Sequence, residues 1–226
     1  MILFPKSNNQ DLIPFFSSCF DRARNVSFLA EIEVRLETEV KIRLNDVATL
    51  RRGLTGMHTR IVAERHFEDN YVLDFPDGRM RSGHSMLRLR HCVAGSLVTF
   101  KGRPRPDNLF KIREELETAV GDAAVALRIF ESLGLQVWFR YQKYREEFEF
   151  QVSGGGFLYI ALDETPIGSY AEFEGAREDI RSAAETLGFS SSDFLRDSYY
   201  WLYVLSCRER GVAPGNMLFP GAASGL

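Results

Sequence analysis

Cysteine is scarce in this chain of 226 residues: Cys19, Cys92 and Cys207 are far apart, odd in number and form no C-x-x-C pair. This excludes a disulfide framework or a structural zinc site and fits a reducing, cytoplasmic setting. Long apolar runs are missing too, since none approaches the roughly 18 residues of a membrane span. Lys6, Asp11 and two prolines interrupt the mildly apolar N-terminus, which carries no signal-peptide pattern. No membrane association is expected. Charge of one sign is also lacking: 28 Lys and Arg against 31 Asp and Glu leave a net −3. Such a balance argues against a surface devoted to nucleic acid or acidic lipid, yet it leaves room for a local basic cavity. Motifs for nucleophilic or P-loop chemistry are absent as well. His58, His66, His84 and His91 show no H-E-x-x-H spacing, and Gly154-Gly155-Gly156 lacks the following Lys-Ser/Thr and reads as a hairpin turn. Arg103-Pro104-Arg105-Pro106 reads as a strand connection, and the Tyr199–Tyr203 cluster with Trp201 as helix packing rather than base stacking.

What is present is a soluble, core-building composition, 45% hydrophobic and 26% charged, of a length one domain can hold. Residues 1–30 read as a poorly defined extension, 31–210 as the domain, and the Gly/Ala/Pro-rich residues 211–226 as a fraying tail. From Glu31 to Leu44 the chain alternates without a break, charged residues on one face and Ile32, Val34, Leu36, Val40, Ile42 and Leu44 on the other. This period of two predicts a strand. Asn45 or Asp46 then caps a short helix. Further strands are expected at 60–67 and 70–75 as a pair, then at 86–91, 97–101, 109–118, 141–152, 157–163 and 170–174. Helices are expected near 122–133, carrying Val125, Ile129, Phe130 and Leu133, and near 176–187 and 192–210.

Almost every strand repeats the first one's design. Arg88 and Arg90 oppose Leu87 and Leu89; Lys111, Arg113, Glu115 and Glu117 oppose Ile112 and Leu116; Lys143, Arg145, Glu147 and Glu149 oppose Tyr144, Phe148 and Phe150; Glu172 and Glu174 oppose Phe173. Two architectures satisfy this pattern: an open sheet showing its charges to water, or a barrel closed with its charges inside and helices over its apolar outer surface. Buried charges need mutual pairing, ions or a polyanionic ligand. The E-x-E pairs Glu37/Glu39 and Glu172/Glu174 set two carboxylates on one face, about 7 Å apart along each strand. That spacing suits hard divalent cations, and the basic middle strands suit phosphate.

Glu37-Thr38-Glu39-Val40-Lys41 resembles the E-x-E-x-K signature of the CYTH domain, or triphosphate tunnel metalloenzyme, family. The competing Glu31-x-Glu33-x-Arg35 ends in arginine. Asp69-Asn70-Tyr71, Leu87-Arg88-Leu89-Arg90, Phe100-Lys101-Gly102, Arg113-x-Glu115, Lys143-x-Arg145, Leu162-Asp163-Glu164 and Gly168-Ser169-Tyr170-Ala171-Glu172-Phe173-Glu174 follow in an order similar to the family's. The resemblance implies an α+β protein: an antiparallel eight-stranded closed β-barrel, a triphosphate tunnel, with helices packed outside. It implies Mg²⁺ or Mn²⁺ on Glu37, Glu39, Asp163, Glu172 and Glu174. Phosphates would be gripped by Lys41, Arg88, Arg90, Lys101, Arg113, Lys143 and Arg145, with Glu37, Glu39, Lys41 and Arg145 as the catalytic set. Glu115, Glu117, Glu147 and Glu149 read as partners for interior arginines rather than further metal ligands. The implied activity is metal-dependent hydrolysis of a small triphosphate (inorganic, nucleoside or thiamine triphosphate), with no nucleic-acid partner. Class IV adenylyl cyclase and a non-catalytic polyphosphate-binding module stand as the alternatives.

Overall fold

The protein was analysed as a computed structural model, which describes residues 35–152, 155–222 and 225–226. The expected N-terminal extension and the Glu31–Val34 half of the long alternation lie outside the described residues. The strands are β1 (Arg35–Leu44), β2 (Arg60–Asp74), β3 (Met86–Cys92), β4 (Gly95–Lys101), β5 (Lys111–Val120), β6 (Gln136–Gln151), β7 (Phe157–Thr165), β8 (Gly168–Glu174) and the two-residue β9 (Phe194–Leu195). The helices are α1 (Val47–Gly56), α2 (Arg79–Ser82), α3 (Ala123–Ser132), α4 (Arg177–Thr186) and α5 (Tyr199–Glu209).

Every strand pairs antiparallel with its neighbours in the order β5-β4-β3-β2-β6-β7-β8-β1, and β1 also pairs with β5. That last pairing closes an eight-stranded barrel, because β1 meets β5 over Arg35–Glu39 and β8 over Glu39–Leu44. Closure of this kind removes the sheet edges. Where β5 leaves β1, β9 takes the vacant edge at Lys41 and Ile42.

The apolar faces point outward and the helices cover them. Val40, Ile42, Leu158, Ile160 and Phe173 meet Leu50 and Leu54 of α1 and Ile180, Ala183 and Ala184 of α4. A second cluster joins Tyr71, Leu73 and Leu89 to Ala123, Ala126 and Leu127 of α3. Asp46 caps α1, its carboxylate accepting from the Ala48 amide at 2.9 Å, which resolves the choice between Asn45 and Asp46.

Four expectations need correction. Residues 60–67 and 70–75 do not pair with each other; they form the single strand β2, which pairs along its length with β6. Register shifts between Ile61 and Ala63 and between Ala63 and His66 break the period of two and disguise that continuity. In α3 the small residues face the sheet, leaving Val125, Ile129 and Leu133 more than half exposed. The last helix begins at Tyr199 rather than 192, because Phe194 and Leu195 pair with β1 before Ser198 caps a new start. The tail expected to fray instead packs: Met217 is fully buried and exchanges backbone hydrogen bonds with Arg140 and Gln142.

Candidate active site

Alternation along each strand turns one residue in two into the barrel, and antiparallel register decides which charges meet. On β1 the inward residues are Glu37, Glu39 and Lys41. Across the ladder Glu37 faces Arg113, Glu39 faces both Lys111 and Glu174, and Lys41 faces Glu172. Lys101 faces Glu115 and Arg145 faces Asp163. Acid and base therefore interleave both along and across the strands, which is how so many charges tolerate burial.

The contacts fall into linked groups. Lys101 Nζ bridges Glu37 at 2.5 Å and Glu115 at 2.8 Å, and Arg113 reaches both Glu37 and Glu39 at 3.4 and 3.5 Å. Lys41 lies between Glu39 at 3.5 Å and Glu172 at 3.1 Å. Asp163 is saturated: it accepts from Lys143 at 3.0 Å, from Arg145 at 2.7 and 2.6 Å, and from the Tyr199 hydroxyl at 2.6 Å. Arg145 continues to Glu172 at 2.5 Å. Lys143, only 1% exposed, also meets Glu68 at 3.4 Å, and Glu68 meets Arg90 at 3.6 Å. Arg88 donates to the Tyr141 hydroxyl and to Thr99, each at 3.2 Å.

These neighbours reset the acidities. Burial, reinforced by Glu39, pushes the Glu37 carboxyl up to about 7 despite Lys101. Burial would raise Glu39 too, but Lys41, Lys101, Lys111 and Arg113 hold it well below the usual carboxylate range. Glu172 is likewise held low against its burial, by Lys41 and Arg145. Burial and the surrounding cations bring the Lys111 ammonium down to about 7, with Glu39 opposing. The site thus contains an acid reluctant to ionise and a base reluctant to protonate.

The structure brings together most residues that the resemblance singled out, with one difference. Both oxygens of Asp163 are occupied by cations and a hydroxyl, so it positions Lys143 and Arg145 rather than standing open to a metal. Glu115 pairs with Lys101, Glu117 accepts from Thr99 at 2.7 Å, Glu147 lies 3.8 Å from Arg145, and Glu149 meets Arg60 at 2.8 Å. Of these four, read as partners for interior arginines, Glu147 lies beside Arg145 and Glu117 4.0 Å from Arg88, whereas Glu115 pairs with a lysine and Glu149 with the exposed Arg60. Asp69, part of the matched series, lies outside the barrel wall and clamps Arg140 at 2.6 and 2.9 Å. Lys111, Glu68 and Tyr199 also belong to this network, by contacts to Glu39, to Lys143 and to Asp163. Lys111 was visible in the alternation with Arg113; Glu68 was hidden where β2 had been divided.

A divalent cation fits the donor chemistry of Glu37, Glu39, Glu172 and Glu174, all hard oxygen ligands on two paired strands. Glu39 Oε1 is buried without a hydrogen bond, although cations surround it. Among the described residues, no three His, Cys, Asp or Glu side chains converge as a ready metal cage, since lysines stand between the acids.

A cavity of about 590 Å³ opens into the barrel. It is lined by Glu39, Lys41, Arg88, Lys101, Lys111, Arg113, Lys143 and Glu172 together with residues of α2, β6 and the start of α5. Among the described residues no helix is long and apolar enough to cross a membrane.

An all-antiparallel eight-stranded barrel with interleaved charges inside and an apolar coat outside defines a class of charged-tunnel barrels. Within that class the chain belongs to the CYTH domain family, whose model matches residues 35–199. A Methanocaldococcus jannaschii protein named "Putative adenylate cyclase" is 26% identical over 172 residues, which span 73% of this chain and 96% of that protein. A Vibrio parahaemolyticus structure, also described as a "putative adenylate cyclase", superposes with a TM-score of 0.65 at 22% identity, covering 75% of this chain and 98% of that one. A Hippeastrum protein described as a "putative adenylyl cyclase" with a dominant triphosphatase activity superposes with a TM-score of 0.54 at 16% identity, covering 79% and 97%.

Proposed function

We propose that the protein is a divalent-metal-dependent hydrolase of a triphosphate bound in the barrel. One observation carries the reading: the two E-x-E pairs lie on adjacent strands, Glu39 opposite Glu174 and Lys41 opposite Glu172, and one acid of each pair, Glu39 and Glu172, lines the cavity beside Lys41, Arg88, Lys101, Lys111, Arg113 and Lys143.

In this reading the ligand exchanges partners with the protein. Lys41, Arg88, Arg90, Lys101 and Arg113 turn from their protein partners to phosphate oxygens, strong partners for charged donors, and Lys143 and Arg145 add phosphate contacts while keeping Asp163. Glu37, Glu39, Glu172 and Glu174 would then be free to hold Mg²⁺ or Mn²⁺, which when bound would supply charge neutralisation and polarisation of a phosphoryl oxygen or water. Water then adds to the terminal phosphorus, the bridging P–O bond breaks, and the lysines and arginines stabilise the charge growing on the departing oxygen. Asp163 and Tyr199 hold Lys143 and Arg145 in place without touching the reacting atoms.

The second reading is adenylyl cyclase, raised by the name of the Methanocaldococcus relative. It would direct a ribose 3′-oxygen at the α-phosphorus and release pyrophosphate. Product analysis decides: protein, Mg²⁺ or Mn²⁺, and inorganic triphosphate, ATP or thiamine triphosphate, resolved by chromatography beside Glu39→Gln. Orthophosphate that disappears in the variant supports the hydrolase. Cyclic AMP with pyrophosphate overturns it in favour of the cyclase, and binding without any turnover overturns it in favour of a binding module.

A further inference from the structure

One side of β6 is only half covered by strands. β2 pairs with it from Gln136 to Glu149, but β7 joins its other side only from Tyr144 onward. Between Gln136 and Lys143 that side pairs with no strand among the described residues. An uncovered strand side presents backbone N–H and C=O groups that must find partners when buried. Residues 215–219 supply them. The Met217 N–H donates to the Arg140 carbonyl at 3.0 Å, and the Met217 carbonyl accepts from the Gln142 N–H at 2.9 Å. The Arg140 N–H is met by a side chain, donating to Asn216 Oδ1 at 2.8 Å. The bridge of Met217 to Tyr141 is parallel, whereas both strand ladders on β6 are antiparallel.

This short strap is held on both flanks. The Phe219 N–H donates to Gln142 Oε1 at 3.2 Å, and the Phe219 ring lies 5.4 Å from that of Tyr144. The Asn216 carbonyl accepts from the Tyr203 hydroxyl at 3.1 Å, and the same hydroxyl accepts from the Gly215 N–H at 3.3 Å. Met217 is fully buried in one cluster with Val72, Phe139, Tyr141, Tyr170 and Tyr199.

Alternation carries the strap's grip to the site. Arg140 and Gln142, held by their backbones, bracket Tyr141, and Tyr141 and Lys143 line the cavity. Tyr141 accepts from Arg88 at 3.2 Å, and Lys143 donates to Asp163 at 3.0 Å. Tyr203 ties the strap to α5 as well, one turn after the Tyr199 whose hydroxyl bonds Asp163. The strap thus fastens together the two elements that carry Tyr141, Lys143 and Tyr199.

We infer that residues 215–219 complete the cavity wall and that Asn216 is a positioning residue for Tyr141 and Lys143, setting how tightly the barrel grips a polyanion. The strap lies beyond residues 35–199, the stretch that the family model matches. The inference rests on the proposed triphosphate site only for its choice of ligand.

Inorganic triphosphate is the probe. Asn216→Ala removes the acceptor of the Arg140 N–H and should weaken binding, read by calorimetry in EDTA, by about 2- to 12-fold, the ~0.5–1.5 kcal/mol of one hydrogen bond. The KM with Mg²⁺ should rise by the same factor while kcat stays within about twofold. Asn216→Asp keeps an oxygen at that position and should restore both. Leu127→Ala, in a different buried cluster from Met217, should lower Tm at least as far without moving Kd or KM. Binding and ordering are reciprocal, so saturating triphosphate should slow hydrogen exchange at the Arg140 and Gln142 amides of the wild type. A lower Tm and apparent kcat in Asn216→Ala with Kd and KM unchanged would overturn the inference and leave a tail that only stabilises the fold. Equal weakening of binding in Leu127→Ala would overturn it too. Binding by the wild type without phosphate release would remove the hydrolase, while the Kd comparison would still decide the strap. No binding of triphosphate by the wild type would overturn both.

Discussion

Asp163→Asn tests whether the interior charges are held in place by one another. Asp163 is 1% exposed and accepts hydrogen bonds from Lys143, Arg145 and Tyr199, so the substitution leaves two buried cations short of a counter-charge. Breaking one partner of a buried pair costs about 3–5 kcal/mol. The lower figure applies because Arg145 retains Glu172 at 2.5 Å and Lys143 retains Glu68 at 3.4 Å. For a chain of this length about 3 kcal/mol is equivalent to a fall in Tm of about 6–12 °C. Urea denaturation of the metal-free protein measures the loss directly, and Tyr199→Phe, which removes one donor to the same carboxylate, should cost about 1.5 kcal/mol. Millimolar inorganic triphosphate should then raise the Tm of Asp163→Asn more than that of the wild type, because its anionic oxygens replace the missing charge beside Lys143 and Arg145. A loss below about 1 kcal/mol, the value of an exposed pair, would refute the argument, as would identical triphosphate shifts in both proteins.

Three further outcomes are expected. Glu39→Gln should lower phosphate release by about 10²–10³-fold with little change in fold, as removal of one preorganised electrostatic contact does elsewhere; initial rates and circular dichroism check both parts. Glu37, raised to about 7, keeps its proton between about pH 4.5 and 7 where the unfolded chain has lost it, so its contribution to stability falls as pH rises through that window. Lys111, lowered to about 7, acts oppositely: its contribution rises from pH 7 toward 10.5 and is lost as pH falls through 7. Urea midpoints of wild type and Lys111→Met in EDTA should therefore diverge most below pH 7, the variant being the more stable there. Phe173→Ala, wholly buried beneath α1 and α4, should cost about 3–5 kcal/mol by denaturation.

Much of this site could be read in the chain because the strand period is two and the charges keep to it. Glu37, Glu39 and Lys41 had to share a face, and so did Lys143 with Arg145 and Glu172 with Glu174. Closure could not be read that way, since an open sheet and a barrel alternate identically; the pairing of Arg35–Glu39 with β5 settles it. Glu68 was missed because bulges in β2 shift the phase just before it. Tyr199 was read as packing, and it does pack against Tyr141 and Tyr170, but its hydroxyl also fixes Asp163. The tail's order depends on Met217 finding a slot beside Tyr141, a long-range contact that composition cannot reveal.

An ordinary domain keeps its oily residues at the centre, so a change in what it binds often disturbs what holds it up. Here the two roles occupy different sides of one wall. Helices grip the barrel from outside through Leu54, Ile180, Phe173 and their neighbours, while the lining does the recognising. A residue facing inward can be exchanged for another chemistry without opening a void in that outer packing, provided charge stays in balance around it. The shell is therefore a reusable container: one strand framework can be refitted for new anions from within, and the limit on such refitting is electrostatic neutrality rather than volume.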